Sequence, residues 1–548
     1  MQSSDHIETE WQFETAEPNR VINWLQSYPD GGEYLVSPVH VRLLEDAYFD
    51  TPDLRIARAG YTCRVRHVDG PISELTLKSM SDSQKGLRKR REVNQNITFF
   101  LDGSDPKILI LAPGTCGDML RTILGRKYQD LRALFYLKTA RATYELHHFD
   151  CDGPIAEIAV DSVIVRSVIE QMMIAEELSG PSFYRVEVEC PFTLALSQAF
   201  VEQLVKKNDL HAASRSKYEE AMKAIGHLDV PKFKLRKPDE VDSDMTSVEA
   251  CYAIMRKQVK AIERNEPGTR LGENLIYLHD MRVATRRMRA AMGMFLPHLP
   301  HIFTVYREQI GKVAAALGEV RDLDVQIANF GSVGKGLEHL GAVEAILQKR
   351  RVLARKKLLT VLDSRWYEKL LLNLNKDLER EAPAVFGPLV RIEAPDMLNA
   401  RYRKLRKQGK YVHSESPPVA YHALRIDSKK LRYALEFLAP LYGKNAQEFS
   451  GWTTELQDLL GAYQDSCTAI SRLHSIAATE KLDAGTLLDI GALVERHRRA
   501  AEVQRDAFPE FFKHLSPRLW KFVLRDHPDW GIPWEDQTDP ATIATPTR

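Results

Sequence analysis

Pairs of charged residues two positions apart recur through roughly the first third of the chain. Glu8 with Glu10 and Glu187 with Glu189 are acidic pairs, while Arg64 and Arg66 form a basic pair. Because alternate residues of a β-strand point to the same side, each pair presents two charges to one face. Carboxylates suit hard cations such as Mg²⁺ or Mn²⁺, and arginine suits phosphate oxygens. For any single pair, a face turned towards water is the favoured explanation.

Further charges fall in stretches with the same strand-like alternation, and they mix acids with bases. They are Lys78, Arg90, Arg141, Glu157 and Asp161. A closed barrel with a charged interior explains why charged faces recur on nearly every predicted strand. Phosphoryl transfer depends mainly on positioning and charge neutralisation, and this set of residues supplies both.

Two helical stretches in the second half each carry a histidine followed by three basic residues on one face. These are His279, Arg282, Arg286 and Arg289 in the first stretch and His422, Arg425, Lys429 and Arg432 in the second. Like charges at this spacing repel, so a neighbouring acid, such as Asp322 or Asp465, or a bound anion must compensate. A solvated basic face is the alternative for one stripe, and the repetition favours a polyanion site.

The second half of the chain repeats itself at a constant offset, which is the spacing from His279 to His422. The same offset separates the Leu-Gly pair at 317–318, which precedes Asp322, from the pair at 460–461, which precedes Asp465. Two motifs that keep one offset indicate an internal duplication, with two helical bundles of similar build.

The elements that must position these residues change in type along the chain. Strand-like segments are predicted near 6–13, 38–49, 61–67, 72–79, 90–100, 134–149, 154–165 and 183–190. They predict an antiparallel barrel or sandwich. Helices are predicted near 18–27 and 116–126 and over 193–225. Residues 228–245 read as a linker, and a helical pattern follows it.

Charge and composition narrow the ligands. Residues 231–548 hold 50 Lys and Arg against 41 Asp and Glu, so they carry +9, and residues 1–230 carry −8. A basic half can hold a polyanion, but nucleic acid is disfavoured because no stacking aromatics interleave the basic stripes. The chain has no apolar run of about 18 residues and no secretory pattern, so we expect no membrane partner and a cytoplasmic location.

The first half resembles the CYTH family, the triphosphate tunnel metalloenzymes. The resemblance rests on Glu8 and Glu10, YFDTPD at 48–53, LRIARAG at 54–60, Arg64 and Arg66, LTLK at 75–78, and Glu187 and Glu189. It implies metal-dependent hydrolysis of inorganic triphosphate. Glu8, Glu10, Glu157, Asp161, Glu187 and Glu189 would bind metal or water, and Arg64, Arg66, Lys78, Arg90 and Arg141 would hold phosphates. Glu8, Glu10, Lys78 and Arg64 would be catalytic.

The paired basic stripes, each followed by its Leu-Gly motif, resemble the CHAD domain. That resemblance implies two pseudo-symmetric four-helix bundles that bind inorganic polyphosphate through their basic faces, and polyphosphate granules as one place where the protein could gather. The expected fold is a multidomain α+β protein, with an N-terminal antiparallel β-barrel (tunnel) followed by an all-α domain of two pseudo-repeated four-helix bundles. The expected domains are a barrel at 1–205, a connection at 206–245, repeats at about 246–385 and 395–525 within 246–525, and a tail at 526–548.

One position departs from the CYTH pattern. The family opens with E-x-E-x-K, and here the last position is Gln12. An enzyme acting on inorganic triphosphate is the leading hypothesis, with Mg²⁺ or Mn²⁺ as cofactor. A non-catalytic polyphosphate-binding adaptor and a phosphohydrolase for an organic triphosphate are the alternatives. The sequence predicts no oligomeric state.

Overall fold

The computed structural model describes residues 3–29, 32–69, 72–81, 83–101, 104–168, 182–190, 194–226, 240–380, 388–513 and 520. The chain divides into two compact units. One comprises residues 1–236, 260–284 and 359–365, and the other comprises residues 237–259, 285–358 and 366–548.

Eight strands of the first unit form a closed antiparallel barrel, which confirms the predicted fold of the first half. They are β1 (Ser3–Glu14), β2 (Tyr34–Asp50), β3 (Tyr61–Asp69), β4 (Ile72–Ser79), β5 (Leu87–Thr98), β6 (Arg132–His148), β7 (Pro154–Ser167) and β8 (Phe183–Glu189). Their order is β5-β4-β3-β2-β6-β7-β8-β1, and pairing of β1 with β5 closes the barrel. The short β9 (His211–Ala212) adds to the end of β1.

The barrel reverses the usual arrangement of polar and apolar faces. On β1, Glu8 and Glu10 line the interior cavity, while Trp11 and Phe13 belong to a buried apolar cluster. On β8, Val186 and Val188 join that cluster. Because strand side chains alternate in direction, the charged interior requires an apolar exterior that something must cover.

Helices of the first unit pack against that apolar exterior. They are α1 (Pro18–Gln26), α2 (Arg55–Arg58), α3 (Ile108–Leu111), α4 (Thr115–Leu124), α5 (Leu194–Asn208) and α6 (Lys217–Ala224). Leu120 of α4 packs in one apolar cluster with Val65 and Leu75 of the barrel, and Phe200 of α5 packs in another with Trp11. Each fully buried side chain of this kind contributes about 1.5–3 kcal/mol.

The rest of the described chain is helical. Its elements are α7 (Ser247–Leu271), α8 (Leu275–Met294), α9 (Ile302–Val333), α10 (Gly341–Leu362), α11 (Arg365–Glu379), α12 (Val390–Gly409), α13 (Pro418–Thr479) and α14 (Ala484–Lys513). No helix in the described ranges is long and apolar enough to cross a membrane.

The duplication extends to the helix boundaries. The spacing from His279 to His422 also separates the first residues of α7 and α12, of α8 and α13, and of α10 and α14. Helix α13 corresponds to both α8 and α9. It folds back on itself, since Gln457 Nε2 donates to Ser428 O at 3.3 Å, although a straight helix between these two residues would separate them by about 43 Å. Pro440 lies between the two halves of α13.

Candidate functional site

The barrel encloses a cavity of about 300 Å³ whose walls are largely charged. Ten of the side chains predicted from the sequence line it: Glu8, Glu10, Arg64, Arg66, Lys78, Arg90, Arg141, Glu157, Glu187 and Glu189. The strands thus bring into one enclosed space residues that lie far apart in the chain.

Lys78 and Arg90 form one acid–base cluster with the carboxylates of β1 and β5. Lys78 contacts Glu8 and lies 3.1 Å from Glu92 Oε2, and Arg90 contacts Glu10. Burial alone would lower the pKa of Lys78, but Glu8 and Glu92 outweigh it, so the pKa is raised. Burial would likewise raise the pKa of Glu92, yet the neighbouring cations, Lys78 first, lower it to about 2. Lys78 and Glu92 therefore both carry their charges in this cluster.

A second cluster joins β6, β7 and β8 with helix α6. Arg141 donates two hydrogen bonds of 2.8 Å to Asp161 and one of 2.8 Å to Glu187. Lys217 contacts both carboxylates and lies 2.7 Å from Glu187 Oε2. Burial would raise the pKa of Glu187, but Lys217 and Arg141 hold it well below its ordinary value.

Asp161 occupies a different place from the other predicted metal ligands. Its side chain is fully buried, and it is not among the residues that line the cavity. Both of its oxygens accept from the guanidinium of Arg141. Because its oxygens already contact Arg141 and Lys217, Asp161 is placed to orient these two cations.

Gln12 connects the two clusters. Its Nε2 donates to Glu10 Oε1 at 3.1 Å and to Glu187 Oε1 at 2.8 Å. The residue is 2% exposed, and its Oε1 has no hydrogen-bond partner among the described residues. A neutral amide therefore occupies the place where the CYTH pattern has lysine, and it joins one carboxylate from each cluster.

Glu157 and Glu189 form an acidic corner of the cavity. They lie opposite each other on β7 and β8, and neither makes an ion pair among the described residues. Burial and then Glu8 raise the pKa of Glu189 to about 7, and Glu157 adds to the shift. Mutually repelling oxygen donors suit a hard cation. Within the described ranges no group of three such side chains is already arranged to hold a metal, and Glu8 contacts Lys78.

The paired arginines of β3 also face the cavity. Arg66 donates to Asp46 Oδ1 at 2.7 Å and to Oδ2 at 2.9 Å. Arg64 donates to Thr76 Oγ1 at 3.1 Å. Burial would lower the pKa of Arg64, but nearby acids, Asp46 first, raise it. The guanidinium of Arg64 therefore stays charged at the cavity wall.

Lys217 is a cavity residue that no sequence pattern indicated. It is the first residue of α6, whose N-cap Ser216 forms a capping box with Glu219. Ala213 N donates to Gln12 O at 2.8 Å, which fixes this segment beside β1. The Ser-x-x-Glu spacing at 216–219 could have predicted the helix start. Nothing local in the sequence indicates that the next side chain reaches into a barrel.

In the second unit, Arg425 lies among charges from both repeats. Burial lowers the pKa of Arg425, Asp465 and Asp322 oppose the shift, and Arg286 adds to it. A Cβ at Gly461 would lie 3.4 Å from Arg425 Nη2, so the guanidinium rests against bare helix backbone. Asp322 and Asp465, the acids proposed from the sequence to compensate the basic stripes, thus favour the charged form of Arg425, whereas Arg286 disfavours it.

The other predicted basic residues lie on the helices expected for them: His279, Arg282, Arg286 and Arg289 on α8, and His422, Lys429 and Arg432 on α13. His279 and His422 are exposed, and His422 Nδ1 lies 3.1 Å from Gln464 Oε1.

Several solved structures are similar to parts of this chain. The crystal structure of the CHAD domain from the plant Ricinus communis is 25% identical with a TM-score of 0.45, over 50% of this chain and 95% of that chain. PptA from Streptomyces chartreusis is 17% identical with a TM-score of 0.41, over 49% and 100%. A Hippeastrum protein, whose structure is described as revealing a dominant triphosphatase activity, is 16% identical with a TM-score of 0.30, over 40% and 96%.

Among curated proteins, no sequence matches this chain. Two family models match successive parts of it. The CYTH domain matches residues 9–221, which contain the lining residues of the cavity from Glu10 to Glu219. The CHAD domain matches residues 253–474, which contain both basic stripes. The chain therefore contains a CYTH domain followed by a CHAD domain.

Proposed function

We propose that this protein hydrolyses inorganic triphosphate in the barrel cavity with the help of a divalent cation, and that its helical half binds polyphosphate. The observation that carries the first part is the cavity itself, where guanidinium, ammonium and carboxylate groups face one enclosed space. Its size and charge suit a small, highly charged anion without an apolar part.

The basic side chains neutralise the phosphates. Lys78, Arg90 and Arg141 are at present paired with carboxylates. When substrate enters, phosphate oxygens replace those carboxylates as partners. The three basic side chains are therefore never buried without a counter-charge. Arg64 and Lys78 neutralise the phosphoryl group in transit, where pre-positioned charges contribute most to the rate.

Glu8, Glu10 and Glu187, released in this exchange, would hold the divalent cation together with Glu157 and Glu189. Glu8, Glu157 and Glu189 fit Mg²⁺ or Mn²⁺ by donor type and by their mutual repulsion, and Glu10 and Glu187 complete the set. When bound, the cation neutralises phosphate oxygens. Glu8 and Glu10 also orient the attacking water.

Phosphate release from tripolyphosphate tests this proposal. Wild-type protein should release phosphate with Mg²⁺ or Mn²⁺, and Glu10→Ala should lose at least about 100-fold in rate. Glu45→Ala is the matched control, because Glu45 is exposed and pairs with Lys138 at 2.8 Å. No release by the wild type with either metal between pH 6 and 10 would contradict the proposal.

A non-catalytic polyphosphate-binding adaptor is the second candidate, and Gln12 is the observation that favours it. The amide supplies hydrogen bonds but no charge at a position between two carboxylates. If only Gln12→Lys releases phosphate and the wild type binds tripolyphosphate without turnover, the adaptor is the correct function.

The helical half contributes polyanion binding. Arg286 and Arg425 are close enough for the charge of one to lower the pKa of the other, and neighbouring guanidinium groups suit successive phosphates of a chain. A protein that carries both sites on one chain keeps a shared ligand pool near the cavity.

A further inference from the structure

The two helical repeats differ around the last arginine of each basic stripe. At the spacing that relates His279 to His422, Arg289 corresponds to Arg432 and Gly293 corresponds to Glu436. In the second repeat, Arg432 Nε lies 3.3 Å from Glu436 Oε1, one helical turn away. In the first repeat a glycine stands where that acid would be, so Arg289 lacks the equivalent partner.

Arg289 instead lies near a second arginine, Arg307, and each of the two packs against a glycine. A Cβ at Gly293 would lie 3.4 Å from Arg307 Nε, and a Cβ at Gly311 would lie 3.4 Å from Arg289 Nε. Each guanidinium, one from α8 and one from α9, therefore rests on a glycine of the other helix. Both arginines are exposed, so a ligand can reach them.

In the described part of the chain, this pair of like charges lacks a compensating acid. No carboxylate of the described residues forms an ion pair with Arg289 or Arg307, and burial together with Arg307 lowers the pKa of Arg289. Each helical glycine is also less favourable than alanine in the interior of a helix. Two repelling cations on two such glycines form an arrangement that an anion would stabilise.

In the second repeat, Ser450 stands at the position of Arg307, and Arg432, the counterpart of Arg289, is occupied. Glu436 contacts Arg432 and also Arg287 of the first repeat. The Arg432 guanidinium lies 5.4 Å from the ring centre of Tyr433, and that of Arg287 lies 5.3 Å from the ring centre of Phe437. A carboxylate and two aromatic rings thus hold these two cations within the fold.

We infer that Arg289 and Arg307 form an anion clamp for adjacent phosphate groups of a polyphosphate chain. The first repeat consequently binds this ligand at a point where the second repeat, which has Ser450 in place of Arg307 and whose Arg432 is neutralised by Glu436, does not. The inference rests on the proposed polyphosphate binding by the helical half and names the residues that make its two repeats unequal.

Binding of long-chain inorganic polyphosphate to the full-length protein, measured at several NaCl concentrations, tests the clamp. Arg307→Ala should weaken binding about tenfold at low salt and should reduce the slope of log K against log salt by about 1, because one phosphate contact is lost. Glu436→Gln should tighten binding and increase that slope, because Arg287 and Arg432 become available. Arg391→Ala is the control, since Arg391 pairs with Asp244 at 2.7 Å.

The outcomes separate the two proposals. A wild type that does not bind polyphosphate would contradict the proposed function of the helical half. A wild type that binds, together with Arg307→Ala of the same affinity and salt slope, would overturn the clamp alone. A folded Glu436→Gln protein, with an unchanged melting temperature, that binds more weakly than the wild type would overturn the inequality of the repeats.

Discussion

The ammonium of Lys217 lies 2.7 Å from Oε2 of Glu187. The first residue of α6 thereby supplies a cation to the wall of a barrel whose last strand has already ended at Glu189, before helix α5 begins. Burial lowers the pKa of Lys217, and Asp161 and Glu187 oppose that shift. The contact makes the segment after the barrel a part of the cavity.

Removal of the Lys217 charge should impair the cavity. We expect Lys217→Met to lower kcat/KM for tripolyphosphate by roughly 10–100-fold, because a pre-positioned cation beside the phosphates is lost. Lys223→Met on the same helix is the control, since Lys223 is exposed and pairs with Glu220. Equal rates for the two variants would show that Lys217 only supports the fold.

The charge at position 12 should tune the reaction with a definite sign. Gln12→Lys places a cation between Glu10 and Glu187 and should raise the rate of phosphate release. Gln12→Glu adds a third carboxylate there and should reduce the rate and the melting temperature, because buried like charges repel. Phosphate release and thermal unfolding of both variants check this, and a faster Gln12→Glu protein would contradict it.

The carboxyl of Asp50 should make stability depend on pH. Burial raises its pKa to about 6, although the N–H groups of Thr51, Ile56 and Ala57 act in the opposite direction. Because the folded pKa lies above the ordinary value of 3.8, the contribution of Asp50 is complete below about pH 4 and is lost as the pH rises through 6. The loss is about 3 kcal/mol.

Asp50→Asn, which cannot ionise, tests that sign. The difference in melting temperature between wild type and variant should move in favour of the variant between pH 4.5 and 7.5. A difference that stays constant over this range would show that Asp50 keeps its ordinary pKa.

Arg286 of the first repeat and Arg425 of the second repeat should together dominate polyphosphate affinity. We expect Arg286→Ala with Arg425→Ala to reduce the salt slope of binding by about 2 and to weaken binding at low salt by at least tenfold. Arg391→Ala again serves as the control. Unchanged binding of the double variant would place the polyanion elsewhere.

Two glycines of the helical half should respond to alanine in opposite directions. A Cβ at Gly409 would lie 2.0 Å from Phe512 Cζ, whereas nothing lies within 4 Å at Gly451, which is exposed inside α13. Gly409→Ala should lower the melting temperature by several degrees, since the ring must move. Gly451→Ala should raise it slightly because alanine favours the helix. Thermal unfolding of both variants measures this.

Local periodicity was sufficient for the barrel and for the duplication. The pairs Arg64 with Arg66 and Glu187 with Glu189 each fall on one face of a strand, and the structure places all four on the cavity wall. The constant offset, visible in two motifs, recurs at helix starts such as Leu275 and Pro418. Both signals depend on spacing along the chain, which a sequence displays directly.

Contacts between distant segments were not accessible in this way. Asp161 lies an even number of positions from Glu157, as expected for one face of a strand, yet Arg141 and Lys217 take up its oxygens. The clamp arginine Arg307 belongs to no motif, and only the helix pairing places it against Gly293. Which partner neutralises a charge depends on tertiary packing, and periodicity carries no information about it.

Because the polar face of the barrel points inward, alternate residues of each strand are under two different constraints. On β8, the ligand constrains Glu187 and Glu189, whereas packing against the covering helices constrains Val186 and Val188. A lumen residue can change its charge without disturbing the apolar packing outside, and an outer residue can be repacked without altering the ligand. Selection for chemistry and selection for folding can therefore act on alternate residues of one strand, which leaves the lumen free to acquire substitutions such as Gln12.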